Sequence, residues 1–362
     1  MWVVQPLPIS SYTRCQSDWS VYTRRCGSSF TMSATSVDDI LLASDSKSES
    51  DLAASQINER FTVTDSGDAD WILGCRITRC RPKRTLMLDQ EQFVISILRQ
   101  FGMERCNPVG SPLPKFRLTH EMSPKTQSEK DAVSSLPYCA IVGKCMYLAM
   151  CTRPDIAYAV RELARFMSNY GQRHFEAAKH LLRYLQGTRT RGIIYGNSAH
   201  VTPIFRSFAD SDWAMSEDRK SISGYLIDCG GGPISWSSKQ QGVIALSSCE
   251  AEYISCTHCA RQIIWLRSLF RELGFNQDNP SILYCDNQGT VACTHDPHSH
   301  SRMKHIDLRA HFIHDCVNRR IIDVHHIPGV ENPADLLTKP LDKLPHQKWL
   351  SIIRLDIDQN SI

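Results

Sequence analysis

Four acidic side chains stand where a predicted strand ends or where the next element begins. Asp210 ends the strand-like run IFRSFAD, Glu250 opens a long helical pattern, Asp286 ends the run LYCD, and Asp335 follows the last strand-like run in IPGVENPAD. Strand ends in an α/β sheet can converge on one edge. Four converging carboxylates would repel one another unless cations are bound among them. Oxygen ligands favour Mg²⁺, with Mn²⁺ as the alternative, over zinc.

A pair of such ions about 4 Å apart can activate a water on one side of a phosphodiester and stabilise the leaving oxygen on the other. The chemistry indicated is hydrolysis of a nucleic-acid backbone. The spacing alone leaves another interpretation open for each residue, because an Asp at a strand end is often a turn or helix cap.

The elements that carry these acids predict a mixed sheet flanked by helices, over roughly residues 199–342. The runs IFRSFAD, SGYLIDC and PISWSS are typical of three successive strands, and a long helix covers about 248–273. ILYCDN is a further strand, HIDLRAHFIHDCVN is helical, and IIDVHHIP is the last strand.

A second acidic pair lies near the start of the chain. FTMSATSVDDILLAS (30–44) has the pattern of a strand, a tight turn and a strand, so Asp38 and Asp39 are predicted at the tip of a hairpin. Helical spacing follows in 48–61 and 91–103, with short strands in DWILGCRITR and RTLMLDQ between them. This first segment is mixed α+β.

Between these parts the composition changes twice. Residues 112–135 are rich in Pro, Ser and charge without apolar periodicity, which predicts a linker or surface loop. Three helical patterns follow in 138–150, 154–169 and 174–187, indicating a small helical region.

The whole chain has the composition of a globular protein. It has 362 residues, of which 42% are hydrophobic, so more than one domain core is expected and a largely disordered chain is excluded. A net charge of +3 neither supports nor excludes a nucleic-acid partner. The fifteen cysteines are scattered and no secretory signal or long apolar run is present, so we expect reduced thiols and an intracellular protein, in cytoplasm or nucleus, not secreted and without a membrane partner.

Five motifs follow one another in the C-terminal part: SFADSDWAMSEDRKSISGY, ISWSSKQQGVIALSSCEAEY, LYCDNQGTVA, RMKHIDLRAHFI and NPADLLTKPL. In this order they resemble the ribonuclease H domain of copia-type retrotransposon Pol polyproteins. The resemblance implies an α/β ribonuclease H-like fold and Mg²⁺-dependent endonucleolytic cleavage of RNA in RNA/DNA hybrids. It assigns both catalysis and metal binding to Asp210, Glu250, Asp286 and Asp335.

Two neighbouring acids could compete for these roles. Asp212 points to the same side of a strand as Asp210, but the family's strand ends with the first Asp. Glu252 lies on a different helix face from Glu250 and is expected to be solvated. Many ribonucleases H carry a His shortly before the last Asp, and IPGVENPAD has none.

The acidic hairpin resembles the YVDD motif in the palm of the same family's reverse transcriptase, with Ser36 in place of Tyr. RCQSDWSVYTRR, LGCRITR, LDQEQFVISILRQFGM and YLAMCTRPDIAYAV are similar to the end of the palm, the thumb and the connecting helices. Asp38 and Asp39 then form a vestigial polymerase site. We expect no polymerase activity, since a further metal-ligand Asp and the fingers would have to come from sequence upstream of this chain.

The resemblance predicts a partial α+β palm and thumb at 1–111, a linker at 112–135, a helical thumb or connection region at 136–198, the ribonuclease H domain at 199–342 and a tail at 343–362. No small-molecule cofactor is expected. The predicted partner is an RNA/DNA hybrid, whose phosphates five residues could contact: Lys239, Arg302, Lys304, His305 and Arg309.

Two other interpretations remain open. CTHC (256–259), with eight histidines between His295 and His326, could hold a structural zinc, although C-x-x-C in mid-helix is more often a pair of core thiols. The chain could also be a catalytically dead retroelement relic that at most binds nucleic acid.

Overall fold

The computed structural model describes residues 12–196, 204–214, 217–295 and 307–355, with the side chains of 307–311 left out. These residues form two compact units, one of 12–73 with 264–278 and one of 74–263 with 279–355. All fifteen cysteines lie in these ranges and all are free thiols, as expected.

The first unit contains an antiparallel sheet in the order β1-β2-β3-β4. The predicted acidic hairpin is present: Ser36 pairs with Asp39, and Val37 in the turn has a left-handed φ of 51°. Residues 264–278 pack within this unit, where the Ser17 N–H donates to Glu272. The elements of this unit are β1 (Thr13–Arg14), β2 (Val21–Cys26), β3 (Ser29–Ser36), β4 (Asp39–Ser44), α1 (Lys47–Asn58) and β5 (Trp71–Ile72).

A helical core forms the beginning of the second unit. Helix α6 buries His174, Ala177, Ala178, Leu181 and Leu182, a spacing that gives one apolar face. The same core includes side chains from both sides of the predicted linker, so 112–135 does not separate two cores. The elements are β6 (Cys75–Cys80), β7 (Thr85–Asp89), α2 (Glu91–Gln100), α3 (Gln127–Val133), α4 (Tyr138–Cys151), α5 (Ala157–Ala164), α6 (Gln172–Gly187) and β8 (Gly192–Gly196), with 3-10 turns at His120–Met122 and Pro154–Ile156.

The linker prediction is wrong for one short segment. Helix α3 lies inside it, and a capping box starts this helix, in which the Thr126 hydroxyl accepts from the Glu129 N–H while the Glu129 carboxylate accepts from the Thr126 N–H. A pattern search for apolar periodicity misses such a helix because none of its residues is buried.

The C-terminal part of the second unit is a five-stranded mixed sheet in the order β11-β10-β9-β12-β13. The first three strands are antiparallel neighbours, and β12 runs parallel to both β9 and β13. This topology confirms the predicted mixed sheet. Its elements are β9 (Arg206–Asp212), β10 (Ile222–Cys229), β11 (Gly232–Gln240), α7 (Ser248–Glu272), β12 (Ser281–Cys285), α8 (Gln288–His295), α9 (Asp307–Asn318), β13 (Ile322–His326) and α10 (Lys343–Ile352), with 3-10 turns at Gly329–Glu331 and Pro333–Leu337. The end of α7, from residue 264, belongs to the first unit.

The residues after 342, which were predicted to form a tail, contain a helix that packs on the sheet. Helix α10 buries Trp349 and Leu350 against a cluster that includes Leu226 of β10 and Leu337. The short amphipathic spacing of KWLSI was too weak a signal to predict this docking.

Within the described residues, no single helix has the length and apolar composition needed to cross a membrane. The helices Gln127–Val133 and Tyr138–Cys151 meet these criteria only when taken together, and they are bent by 56°.

Candidate metal centre

Asp210 lies near the end of β9 and is almost completely buried, with 1% of its surface exposed. Its carboxylate accepts a hydrogen bond from the Thr338 hydroxyl, and its backbone carbonyl accepts one from the Ser255 hydroxyl at 2.7 Å. The ammonium of Lys339 lies 3.4 Å from Asp210 Oδ1. Side chains from α7 and from the residues after the Pro333–Leu337 turn therefore fix its position.

Helix α7 contributes Glu252 to this region, which corrects the prediction for the helix start. Glu252 is 5% exposed, so the expectation that it is solvated is wrong. Its Oε1 accepts from the Ser211 N–H at 2.9 Å and from the Ser211 hydroxyl at 3.0 Å. Its charge interacts with those of Asp210 and Asp286.

Glu250 has a different contact. Its Oε2 accepts from the Leu246 N–H at 2.8 Å, in the loop that leads into α7. Residues two positions apart on an α-helix, such as Glu250 and Glu252, lie about 200° apart around the helix axis. Only one of the two can therefore face the end of β9. The motif CEAEY contains both acids. The sequence analysis assigned the metal-binding role to Glu250, whose carboxylate instead accepts a hydrogen bond from the loop before α7.

Asp286 follows β12 immediately. Because β12 runs parallel to β9, the two strands bring Asp286 and Asp210 to the same edge of the sheet. Ligand atoms of Asp286, Glu252 and Cys285 all lie within 4.8 Å of one another. A Cβ at Gly329 would lie 2.9 Å from Asp286 Oδ2, so a larger residue there would displace either this carboxylate or the loop.

Asp335 lies in the 3-10 turn Pro333–Leu337, which the Asn332 side chain ties to β9 by donating to the Ala209 carbonyl at 2.8 Å. The Lys339 ammonium is 2.5 Å from Asp335 Oδ1. One lysine therefore bridges Asp335 and Asp210, and the turn delivers Asp335 to the cluster. Below, the carboxylate cluster means Asp210, Glu252, Asp286 and Asp335.

Asp212 is engaged elsewhere. Its carboxylate accepts a hydrogen bond from the Ile222 N–H at the start of β10. Burial raises its pKa to about 6, and the guanidinium of Arg161 opposes that shift. Asp212 supports the sheet at this end and is 6% exposed.

Burial and mutual repulsion raise the pKa values of three carboxyl groups of the carboxylate cluster. Burial raises the pKa of Glu252 well above its usual range, and the charge of Asp210 raises it further. Burial and Asp210 also raise the pKa of Asp286. The pKa of Asp335 is raised to about 6 by burial and by Asp210, although Lys339 opposes the shift. Such a group of buried and partly buried carboxylates favours the binding of a cation.

The donors fit a hard divalent cation. Carboxylate oxygens dominate the set, as Mg²⁺ and Mn²⁺ prefer, and Cys285 Sγ lies 3.7 Å from Glu252 Oε2 as a hydrogen-bond donor. Sequence reasoning missed Glu252, Thr338 and Lys339. The last two follow Asp335 by three and four residues in PADLLTK, a spacing that places side chains on one face of a helical turn.

The vestigial polymerase pair has a simpler environment. Asp38 and Asp39 are exposed at the β3–β4 turn. Among the described residues, neither belongs to a group of three candidate ligands within 4.8 Å of one another. The loss of polymerase activity stays a prediction.

The predicted nucleic-acid contacts are described only in part. Lys239 is exposed on β11, as a phosphate contact requires. Arg309 belongs to α9, where the structure describes its backbone but not its side chain. Arg302, Lys304 and His305 lie outside the described residues.

The cysteines of CTHC are both buried in α7. The His295–His326 segment falls partly outside the described residues. In the described part, His295 Nε2 donates to the Val324 carbonyl at 3.0 Å, and His325 Nε2 lies 2.9 Å from Asp323.

Comparison with known proteins finds similar chains among transposon proteins, whereas no family model matches. The chain is 40% identical over 332 residues to a retrovirus-related Pol polyprotein from transposon TNT 1-94 of Nicotiana tabacum, a match covering 91% of this chain and 25% of that protein. It is 30% identical to a putative transposon Ty5-1 protein of Saccharomyces cerevisiae, over 70% of this chain and 77% of that protein. The chain thus spans about a quarter of the length of the Nicotiana polyprotein.

A solved structure of LC11-RNase H1, isolated from compost by a metagenomic approach, is also similar. It shares 19% identity with a TM-score of 0.28, over 37% of this chain and 92% of that chain.

Proposed function

Because the chain belongs to the family of retrotransposon Pol polyproteins, we propose that its carboxylate cluster binds two divalent ions and cleaves the RNA strand of RNA/DNA hybrids. The reaction is endonucleolytic hydrolysis that leaves a 3′-hydroxyl and a 5′-phosphate. Mg²⁺ is the expected ion, and Mn²⁺ can replace it.

One observation carries this proposal. Four carboxylates from four separate segments of the chain meet at one edge of the sheet, and three of them have raised pKa values. The four carboxylates repel one another, and the single ammonium of Lys339 balances only part of their charge. The arrangement therefore supports the proposal of a site for divalent cations.

Each residue has a distinct part in holding the ions and the substrate. Bound divalent ions supply an acidified water and stabilise charge on the leaving oxygen. Asp210 and Asp286, at the ends of adjacent parallel strands, would each bind from the sheet edge. Glu252 would bind from α7, where the Ser211 N–H donates to its Oε1, and Asp335 would bind from the Pro333–Leu337 turn. Because protein contacts already fix these side chains, they would hold the ions with little rearrangement of the carboxylates.

Cleavage of a labelled RNA/DNA hybrid in Mg²⁺ tests the proposal. Asp286→Asn keeps the side-chain shape but removes one ligand charge, so we expect cleavage to fall by orders of magnitude. The affinity of this variant for the hybrid should persist or rise, because one negative charge that repels the phosphates of the hybrid has been removed.

Asp315→Asn is the matched control, since Asp315 is an exposed carboxylate of α9 paired with Arg319. It should cleave like the wild type. Equal cleavage by wild type and Asp286→Asn would overturn the role of the cluster. A wild-type protein that binds the hybrid and never cuts it would support a catalytically dead relic.

A further inference from the structure

The ammonium of Lys339 occupies the space between two carboxylates of the cluster. Its Nζ is 2.5 Å from Asp335 Oδ1 and 3.4 Å from Asp210 Oδ1. In the part of the chain that the structure describes, no other Lys or Arg forms an ion pair with either aspartate. We propose that Lys339 is an internal counter-ion, which holds these carboxylates together in the metal-free protein and competes with divalent ions for them.

The distances from the Lys339 ammonium to Asp335 and Asp210 imply that the ammonium competes with a divalent ion for these carboxylates. Mg²⁺ binds carboxylate oxygens at about 2.0–2.1 Å, closer than the ammonium approaches either aspartate. An ion shared by Asp210 and Asp335 would have to take the place now held by Nζ. Two positive centres cannot occupy that place together, so Lys339 has to withdraw when the ion binds.

The side chain is able to withdraw. It is 39% exposed, whereas that of Asp210 is 1% exposed, so the lysine reaches the cluster from the solvent side. The lysine stem is flexible and its ammonium is readily hydrated. Its position four residues after Asp335 places it above the same turn, so withdrawal needs no change in the backbone.

This inference deepens the proposed function, because it rests on the cluster being a metal site. It gives Lys339 a positioning role: the lysine keeps the cluster assembled before the ions arrive and sets the ion concentration at which they bind. Removal of the ammonium should therefore have opposite effects on the metal-free protein and on metal affinity.

The test measures Mn²⁺ binding by calorimetry on chelator-treated full-length chain, without nucleic acid, together with the melting temperature in EDTA. Lys339→Met should bind Mn²⁺ about threefold to tenfold more tightly than the wild type, a factor typical of losing one partly exposed competitor. Its melting temperature in EDTA should be lower, and added Mn²⁺ should raise it further than it raises that of the wild type.

Lys339→Arg keeps the charge and should remain close to the wild type in both measurements. Lys343→Met is the matched control, because Lys343 is exposed four residues away and its loss changes the net charge equally. It should leave Mn²⁺ affinity unchanged. If Lys339→Met does not fold, Lys339→Gln provides the same measurement.

The outcomes separate this inference from the proposed function. Equal or weaker Mn²⁺ binding by Lys339→Met, with hybrid cleavage intact in the wild type, would overturn the role of Lys339 alone. Tighter binding by Lys339→Met with a wild type that never cleaves would overturn the nuclease and leave the counter-ion in place. Absence of Mn²⁺ binding in every form would overturn both.

Discussion

Asp210 is held by contacts from two elements that follow it in the chain. Ser255 of α7 donates to its backbone carbonyl and lies 3.0 Å from the Gly224 carbonyl of β10, so this one hydroxyl ties three elements together. Thr338 donates to the carboxylate itself. A carboxylate fixed in this way is oriented before any ion arrives, which lowers the reorganisation that binding requires.

His346 of α10 is a buried imidazole that contacts the helical core of the same unit. Its Nε2 donates to the Asp155 carbonyl at 3.2 Å, whereas Nδ1 is buried and has no hydrogen-bond partner among the described residues. Burial lowers the pKa of His346, the charge of Asp155 opposes this shift, and Arg191 and Arg153 add to it. The folded protein therefore keeps this ring neutral at a pH where the unfolded chain protonates it.

A pH dependence of stability follows. The unfolded chain binds a proton at His346 near pH 6.5 and the folded chain does so only at lower pH, so stability is lost as the pH falls below about 6.5. In His346→Gln the slope of unfolding free energy against pH, measured by urea unfolding between pH 7 and 5, should decrease by up to about 1.4 kcal/mol per pH unit. His325→Gln, on a half-exposed histidine of β13, is the control. An unchanged slope in His346→Gln would show that the ring is protonated in the folded state.

At the scale of elements, the 3-10 turn Pro333–Leu337 determines whether Asp335 reaches the cluster. The turn packs directly on β10, where Gly224 leaves room for it: a Cβ there would lie 2.6 Å from Thr338 Cγ2 and 2.9 Å from Leu337 Cβ. Gly224 pairs with Asp210 across the strands, so the turn packs on the sheet at the same point where the carboxylate cluster lies.

Gly224→Ala should push this turn away from the sheet. We expect a loss of about 1–3 kcal/mol in the free energy of unfolding, as for overpacked sites, together with weaker Mn²⁺ binding because Asp335 moves with the turn. Urea unfolding and calorimetry measure the two effects. Gly143→Ala is the control: Gly143 is exposed in α4 with open space at its Cβ, and alanine there should add about 0.5–1 kcal/mol. If Gly224→Ala is less stable than the wild type but binds Mn²⁺ equally tightly, the packing of this turn on β10 does not control metal binding.

The elements of the sheet were predictable because their signals are local. β12 is a short, mostly apolar run, whereas β9 and β13 carry their apolar residues among polar ones. The acids at the ends of β9 and β12 follow from parallel pairing. The choice between Glu250 and Glu252 was not predictable in this way, since it depends on the rotation of α7 about its axis against β9. The docking of α10 likewise depends on a tertiary partner, the cluster around Leu337.

At the scale of the whole molecule, the carboxylate cluster forms only when the second unit is folded. Its carboxylates come from β9, α7, the end of β12 and a turn close to α10, so no fragment of the sheet contains them all. The helical core of this unit also contributes, since Asp155 accepts from His346 of α10 through its backbone. A truncation before α10 would remove Trp349 and Leu350 from the cluster that supports the Asp335 turn.

The first unit carries the acidic hairpin and no part of the carboxylate cluster. Asp38 and Asp39 are exposed there, while each carboxylate of the metal centre belongs to the second unit. The proposed hydrolysis therefore depends on one compact unit of the chain.

Comparison of Glu252→Gln with Glu250→Gln is the most direct test of the metal centre. Initial rates of RNA cleavage in an RNA/DNA hybrid are measured for both variants and the wild type at the same Mg²⁺ concentration. Glu252→Gln removes a cluster carboxylate and should lose cleavage by orders of magnitude, whereas Glu250→Gln changes a residue bonded to the Leu246 N–H and should retain rates near the wild type. Loss of cleavage in Glu250→Gln with retention in Glu252→Gln, or a wild type without cleavage, would contradict the account.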